Sequence, residues 1–152
     1  MEPATAGLVY RDDDAVEPGE YRAMFALIGR RPIDAGDDAV VAALRLGRSL
    51  TARTADGTLV GLARLLDDGL LYASVWDVAV DPAHRRRGVA RELMRRAMAI
   101  VDGRRLVALV ATEMGEPLYR ELGFSETSGG SVALFLRPEG GRAPAPAGES
   151  AG

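Results

Sequence analysis

The sequence predicts an α/β layered fold of the α+β kind, in which a mixed, mostly antiparallel sheet is flanked by about four helices. Apolar residues recur at helical spacing near the start and again past the middle, and at strand spacing between and after. Asp56-Gly57 and Asp68-Gly69 punctuate the strand-like region where tight hairpins would turn. The length of 152 residues suits one domain with a proper core and is too short for two.

Taken in order, Tyr21, Met24, Phe25 and Ile28 stand at i, i+3, i+4 and i+7, which predicts a helix over 20–28 ended by Gly29 and Pro32. A second helix is expected over 37–46, opened by acidic residues and stopped by Gly47. Strands follow over 50–54, 59–66 and 70–80, joined by the two Asp-Gly turns into an antiparallel meander. A long helix is expected over 88–101, with Val89, Leu93, Ala97 and Ile100 in one apolar row and the arginines opposite. Residues 106–111 read as a buried strand. A short helix over 117–122 closes at Gly123, and residues 131–137 read as a last strand. One domain is thus expected over 1–137. Residues 138–152, mostly Gly, Pro, Ala and Ser, are expected to be a flexible tail.

Composition excludes several kinds of chemistry. Without cysteine there is no disulfide, thiolate zinc site or cysteine nucleophile, and the single histidine, His84, leaves no histidine cluster for a metal and makes a serine triad improbable. No metal is expected. All 19 basic residues are arginine, so a lysine Schiff base or lysine phosphate clamp is excluded too. The first residues lack the basic and apolar regions of a signal peptide, and no apolar run reaches membrane-spanning length; the expectation is a cytoplasmic protein with no membrane partner.

The net charge of −3 is unevenly distributed. Residues 84–96 hold six arginines against Glu92 alone, a charge of +5, whereas the remaining thirteen arginines face twenty-one acids. The basic stretch runs off a strand, through Asp81-Pro82, into a helix start at Gly88. Helix starts present unpaired N–H groups and partial positive charge, and a residue without Cβ admits a phosphate close to the backbone. Arg85, Arg86 and Arg87 add forked donors for phosphate oxygens. A diphosphate ligand fits this construction. Nucleic acid does not, because the chain is acidic and no aromatics interleave the arginines.

The segment Arg85-x-x-Gly88-x-Ala90 after Val-Asp-Pro resembles the acetyl-CoA motif of the GNAT N-acetyltransferase superfamily. The blocks Gly61-Leu-Ala-Arg64 with Asp68-Gly69, Trp76-Asp-Val-Ala-Val-Asp-Pro82 and Pro117-Leu-Tyr-Arg-Glu-Leu-Gly-Phe124 resemble that family in order and spacing, over about residues 8–137. In finer detail the blocks resemble the serotonin-type arylalkylamine and protein-lysine acetyltransferase branch. That branch carries an aspartate about seven residues before its tyrosine, where this chain has Thr112 followed by Glu113.

The resemblance implies a GNAT fold and direct transfer of an acetyl group from acetyl-CoA to an amine. It implies that Val78, Ala79 and Val80 offer backbone groups to the pantetheine arm. Arg85, Arg86, Arg87, Gly88, Val89, Ala90 and Arg91 would form the pyrophosphate loop. Tyr119 would be the general acid returning a proton to the leaving thiolate, and Glu113 is the candidate base. Asp77, a carboxylate in an apolar strand, either takes a loop N–H or faces the substrate cleft. Ser74 and Asp77 are the candidate acceptor-binding residues. The expected partners are a small-molecule or protein amine and, by family likeness, a second copy in a homodimer. A non-catalytic acyl-CoA-binding module is the alternative reading.

Overall fold

Alternating apolar residues and two aspartate-glycine turns make residues 48–80 a meander, and the computed structural model shows how the rest of the chain is layered on it. The structure describes residues 7–126 and 129–137; the expected tail at 138–152 lies outside them. The strands are β1 (Val9–Arg11), β2 (Arg48–Arg53), β3 (Leu59–Asp67), β4 (Tyr72–Val80) and β5 (Leu106–Leu109), and the helices are α1 (Pro18–Leu27), α2 (Asp37–Arg45), α3 (Val89–Ile100) and α4 (Glu116–Glu121). The chain divides into two compact units at Thr112/Glu113, each taken by itself below.

In the first unit, one sheet has the order β1-β2-β3-β4-β5. The first three pairings are antiparallel and β4 pairs with β5 in parallel, so the sheet is mixed and mostly antiparallel as expected. Gly57 and Gly69 make the two hairpin turns at φ +90° and +80°, a backbone region closed to most residues with a Cβ. The Asp68 carboxylate accepts the N–H groups of Leu70, Leu71 and Tyr72, locking the β3–β4 turn.

One layer of helices covers each face. Tyr21, Met24, Val40 and Leu44 from α1 and α2 pack with Leu62 and Ala79 of the sheet into a buried cluster. Val89, Leu93, Met94 and Ala97 form the buried side of α3. On β3 the two layers alternate residue by residue: Leu62 joins the α1–α2 cluster, while Gly61 lies under α3. A Cβ on Gly61 would stand 2.7 Å from the Val89 Cγ1 and 3.2 Å from a Leu93 methyl. The absence of a side chain there lets α3 sit close to the sheet. Arg53 is also buried, bound through Nε to Asp14 at 2.6 Å and through Nη1 to Glu20 at 2.6 Å.

In the second unit, α4 begins after Gly115 and ends at Gly123, whose φ is +96°. The Tyr119 and Phe124 rings meet edge-to-face at 6.3 Å.

Three expectations are corrected. β1 was not anticipated; three residues are too few to show alternation, and only pairing with β2 makes them a strand. Residues 106–111 were read as a buried strand, but β5 stops at Leu109 and lies at the sheet's edge, with Leu106 44% exposed. A continuous apolar run is the mark of a strand covered on both faces, but none of the four residues of β5 is buried. The strand expected over 131–137 is not formed: Ser131 makes an isolated bridge and 132–137 have no regular structure. Val132, Leu134, Phe135 and Leu136 are all exposed, because apolar character makes a strand only where a ladder partner and a face to bury exist.

Candidate active site

The site is built around the end of β4. Its ladder to β5 covers Tyr72 to Val75 only, yet β4 continues to Val80. Among the described residues, Trp76 to Val80 therefore have β3 on one side and an open edge on the other. That edge includes Val78, Ala79 and Val80, the three residues expected to receive the pantetheine arm. An open strand edge offers N–H and C=O groups to an extended, amide-bearing ligand as a further strand would.

The main chain then turns tightly into α3. Asp81 donates its N–H to the Val60 carbonyl at 2.8 Å, tying the loop to β3. Its carboxylate accepts the Ala83 N–H at 2.9 Å and starts a single 3-10 turn over Pro82–His84. Arg85, Arg86 and Arg87 follow as exposed side chains without an ion pair among the described residues. Gly88 precedes the first helical residue at φ +77°, so the backbone itself favours glycine there. Val89 and Ala90 open the first turn, where N–H groups have no carbonyl one turn earlier within the helix. Val89, 2% exposed and lying above Gly61, fixes where this turn stands over the sheet.

The open edge, left-handed glycine, helix start and exposed Arg85, Arg86 and Arg87 fit a ligand with an amide-bearing arm and a diphosphate. Glu92 begins the acidic counterweight on α3: its hydrogen bonds from Arg95 and then Arg96 outweigh partial burial and pull its carboxyl down to about 2. It stays ionised at any working pH and spends its charge on its own helix.

Ser74 and Asp77 lie on the same strand. Ser74 accepts the Trp76 indole N–H at 2.7 Å, which holds an exposed ring on the sheet face. Asp77 is partly buried, and its partners are side chains where a loop N–H was one of two expectations. Tyr21 donates its phenol, Arg30 donates at 2.8 Å and Arg64 stands at 3.5 Å. Burial, then the bond to Asp77, push the Tyr21 phenol up to about 12. These three partners were missed in the sequence. A carboxylate in an apolar strand signals that a cation is near, but residues 47 and 56 positions away carry no local sign of the pairing.

In the second unit, Tyr119 is buried within α4, its ring seated over Gly115, where a Cβ would come within 2.9 Å of Cε2. Glu113 is exposed in the turn before that helix. The loop 85–91 and the edge 78–80 are thus contiguous, whereas Tyr119 and Glu113 are supplied by a separate stretch of chain.

The sequence model of the acetyltransferase (GNAT) family matches residues 21–124. The chain belongs to this family. Histone acetyltransferase TAP1 of Glycine max is 30% identical over 82 residues, covering 53% of this chain and 36% of that protein. Chloroplastic serotonin N-acetyltransferase 2 of Oryza sativa subsp. japonica is 36% identical over 77 residues, covering 49% of this chain and 38% of that one. The chain therefore spans little more than a third of the length of these relatives. The SA2161 structure from meticillin-resistant Staphylococcus aureus superposes with TM-score 0.73 at 20% identity, over 86% of this chain and 99% of that one. That likeness is one of fold. The GNAT match begins at Tyr21 and ends at Phe124, so it takes in the Asp77 cluster, the arginine loop and Tyr119.

Proposed function

We propose that this GNAT chain transfers an acetyl group from acetyl-CoA to a primary amine, either a small amine or an amine of a protein. The observation carrying the reading is the continuous run from the open edge at Trp76–Val80 to the helix start at Gly88. A pantetheine arm along the edge leads its diphosphate to the first turn of α3. There the helix terminus contributes roughly 0.3–1 kcal/mol, and up to about 2 kcal/mol where partly buried. Arg85, Arg86 and Arg87 add charge-assisted hydrogen bonds.

Acetyl-CoA supplies the acyl group as a thioester. The amine nitrogen attacks the thioester carbonyl carbon, a C–N bond forms and the C–S bond breaks. The amine loses a proton, to Glu113 directly or through water, and the departing sulfur receives one from the Tyr119 phenol. Ser74 and Asp77, both on β4, are the candidate residues beside the acceptor. No covalent intermediate on the chain is required, which agrees with the absence of cysteine and lysine. The two relatives, one a histone and one a serotonin acetyltransferase by name, support an amine acceptor and divide on its size.

The test is Tyr119→Phe in a thiol-release assay. A fall in kcat of about 10²-fold or more, with calorimetric affinity for CoA unchanged, is the expected size for losing a general acid. Equal turnover removes Tyr119 from the reaction.

A further inference from the structure

Asp77 has φ +52°, in the left-handed region that a residue with a Cβ occupies only when its surroundings hold it there. It also sits in a bulge. Leu62 pairs with Ala79 and Arg64 with Trp76, so Asp77 and Val78 together oppose the single residue Ala63. A bulge of this kind frees main-chain groups from the ladder and re-aims the strand beyond it. Here the bulge includes Val78 and leads into Ala79 and Val80, the rest of the open edge.

The Asp77 side chain is only 14% exposed and is held from three directions. Tyr21 reaches it from α1, Arg30 from the turn after α1 and Arg64 from the neighbouring strand β3. These partners are fixed in turn. Arg30 stacks on Phe25 at 5.4 Å, and Arg64 donates to the Ala43 carbonyl at 2.8 Å while lying over the Tyr21 ring at 5.8 Å. With its phenol pushed up to about 12 by burial, Tyr21 remains a neutral donor through the working range. A carboxylate shared by two guanidiniums and a phenol is poorly placed to take a proton from an amine. It is well placed to hold its own backbone.

Resting on the acetyltransferase reading above, we propose that Asp77 is a positioning residue: gripped by Tyr21, Arg30 and Arg64, its carboxylate holds the β4 bulge that presents the main chain of Val78–Val80 to the thioester. The first helix and the transfer centre are then joined through one side chain, because Tyr21 touches both the α1–α2 core and Asp77.

The experiment compares Asp77→Ala, Asp77→Asn and Asp77→Gly in the full chain. Turnover is read as thiol release from acetyl-CoA with 2-phenylethylamine, spermidine and a lysine-containing peptide as acceptors. Folding and cofactor binding are read by thermal melting and by calorimetry with CoA. Asp77→Ala is expected to lower kcat about tenfold or more with the Kd for CoA within about threefold, since phosphate binding at α3 is untouched. Asp77→Asn keeps an acceptor oxygen and tolerates the left-handed backbone, so it should retain at least about a third of kcat with the same pH profile. Asp77→Gly permits the backbone but removes the grip, and should resemble Asp77→Ala.

Full kcat in Asp77→Ala or Asp77→Gly overturns the proposal. So does an Asp77→Asn whose kcat falls about 10²-fold or more and whose residual turnover has lost its acidic limb, which would make Asp77 the base. Amide hydrogen exchange at Val78 and Ala79 reads the bulge without turnover, and should quicken in Asp77→Ala and Asp77→Gly but not in Asp77→Asn. Unchanged exchange in all three contradicts the proposal even where turnover falls. Should Asp77→Ala fail to fold, Tyr21→Phe removes one grip and should cost about threefold in kcat; no loss of kcat and no change in exchange there overturns the proposal. A wild-type chain that releases no thiol with any acceptor removes the acetyltransferase reading instead, and exchange then decides the bulge alone.

Discussion

At the residue scale, Gly88 supplies the φ of +77° from which α3 starts. Gly88→Glu adds a side chain in a strained backbone region and a negative charge beside the anion site, so calorimetry should show acetyl-CoA binding lost. Unchanged affinity would place the cofactor elsewhere. The buried Arg53 makes a different prediction. Asp14 is pushed up by burial, but the hydrogen bonds from Arg53 and Thr51 outweigh this and leave its carboxyl below the usual range. Glu20 is held down mainly by its bond from Arg53. Folded-state values below the unfolded ones mean that these carboxylates add stability above about pH 4.5, which is lost as pH falls through their lowered values. Arg53→Ala should therefore cost about 3 kcal/mol at pH 7, because the buried Asp14 loses its closest cation and keeps only the Thr51 hydroxyl at 2.8 Å and the exposed Arg11 at 3.4 Å. The cost should shrink in acid; a melting difference that does not vary with pH would contradict it. Gly88 was legible in the sequence because its spacing from the arginines has a local meaning. Arg53, Arg64 and Arg30 were not, since arginine is everywhere in this chain and only the fold selects which ones are buried against a carboxylate.

At the element scale, α3 is the helix that positions the site, and its seat is Gly61. The Cβ of Gly61→Ala would enter the space of Val89, Leu93 and Ala52 together. Overpacking of this kind costs typically 1–3 kcal/mol, and here it also lifts the helix start from the end of β4. The expected result is a lower Tm together with weaker CoA binding; loss of stability alone, with full affinity, would show that the first turn need not be so closely seated. The helices and the central meander were legible because their periodicity is generated locally and Asp-Gly turns specify hairpins. The ends of the sheet were not. β1 exists through its pairing, β5 is an edge where a buried strand was expected, and the apolar run at 132–136 remains exposed. Pairing partners are long-range facts, and hydrophobicity alone does not reveal them. The splay beyond Val75, which gives the site its open edge, belongs to the same class.

At the scale of the whole molecule, an acidic chain carries one basic segment with a charge of +5. Much of the remaining charge is paired on the surface: Arg104 holds Asp67 at about 2 by its hydrogen bonds, and Arg120 binds Glu116 and Glu126. Arg85, Arg86 and Arg87 are exposed, and if they attract the proposed anionic cofactor, salt should screen that attraction. Affinity for acetyl-CoA should fall about fivefold between roughly 0.05 M and 0.5 M salt. An affinity insensitive to salt would assign the binding to the pantetheine edge alone. On the proposed reading, the net acidity of the rest of the chain would favour approach of a cationic amine. The measurement that tests this account most directly is thiol release from acetyl-CoA by the full chain across amines, polyamines, amino acids and lysine peptides. The account predicts amine-dependent release matched mole for mole by the acetylated amine. Tight acetyl-CoA binding without amine-dependent release from any of them would contradict it, and would make the chain a binding module.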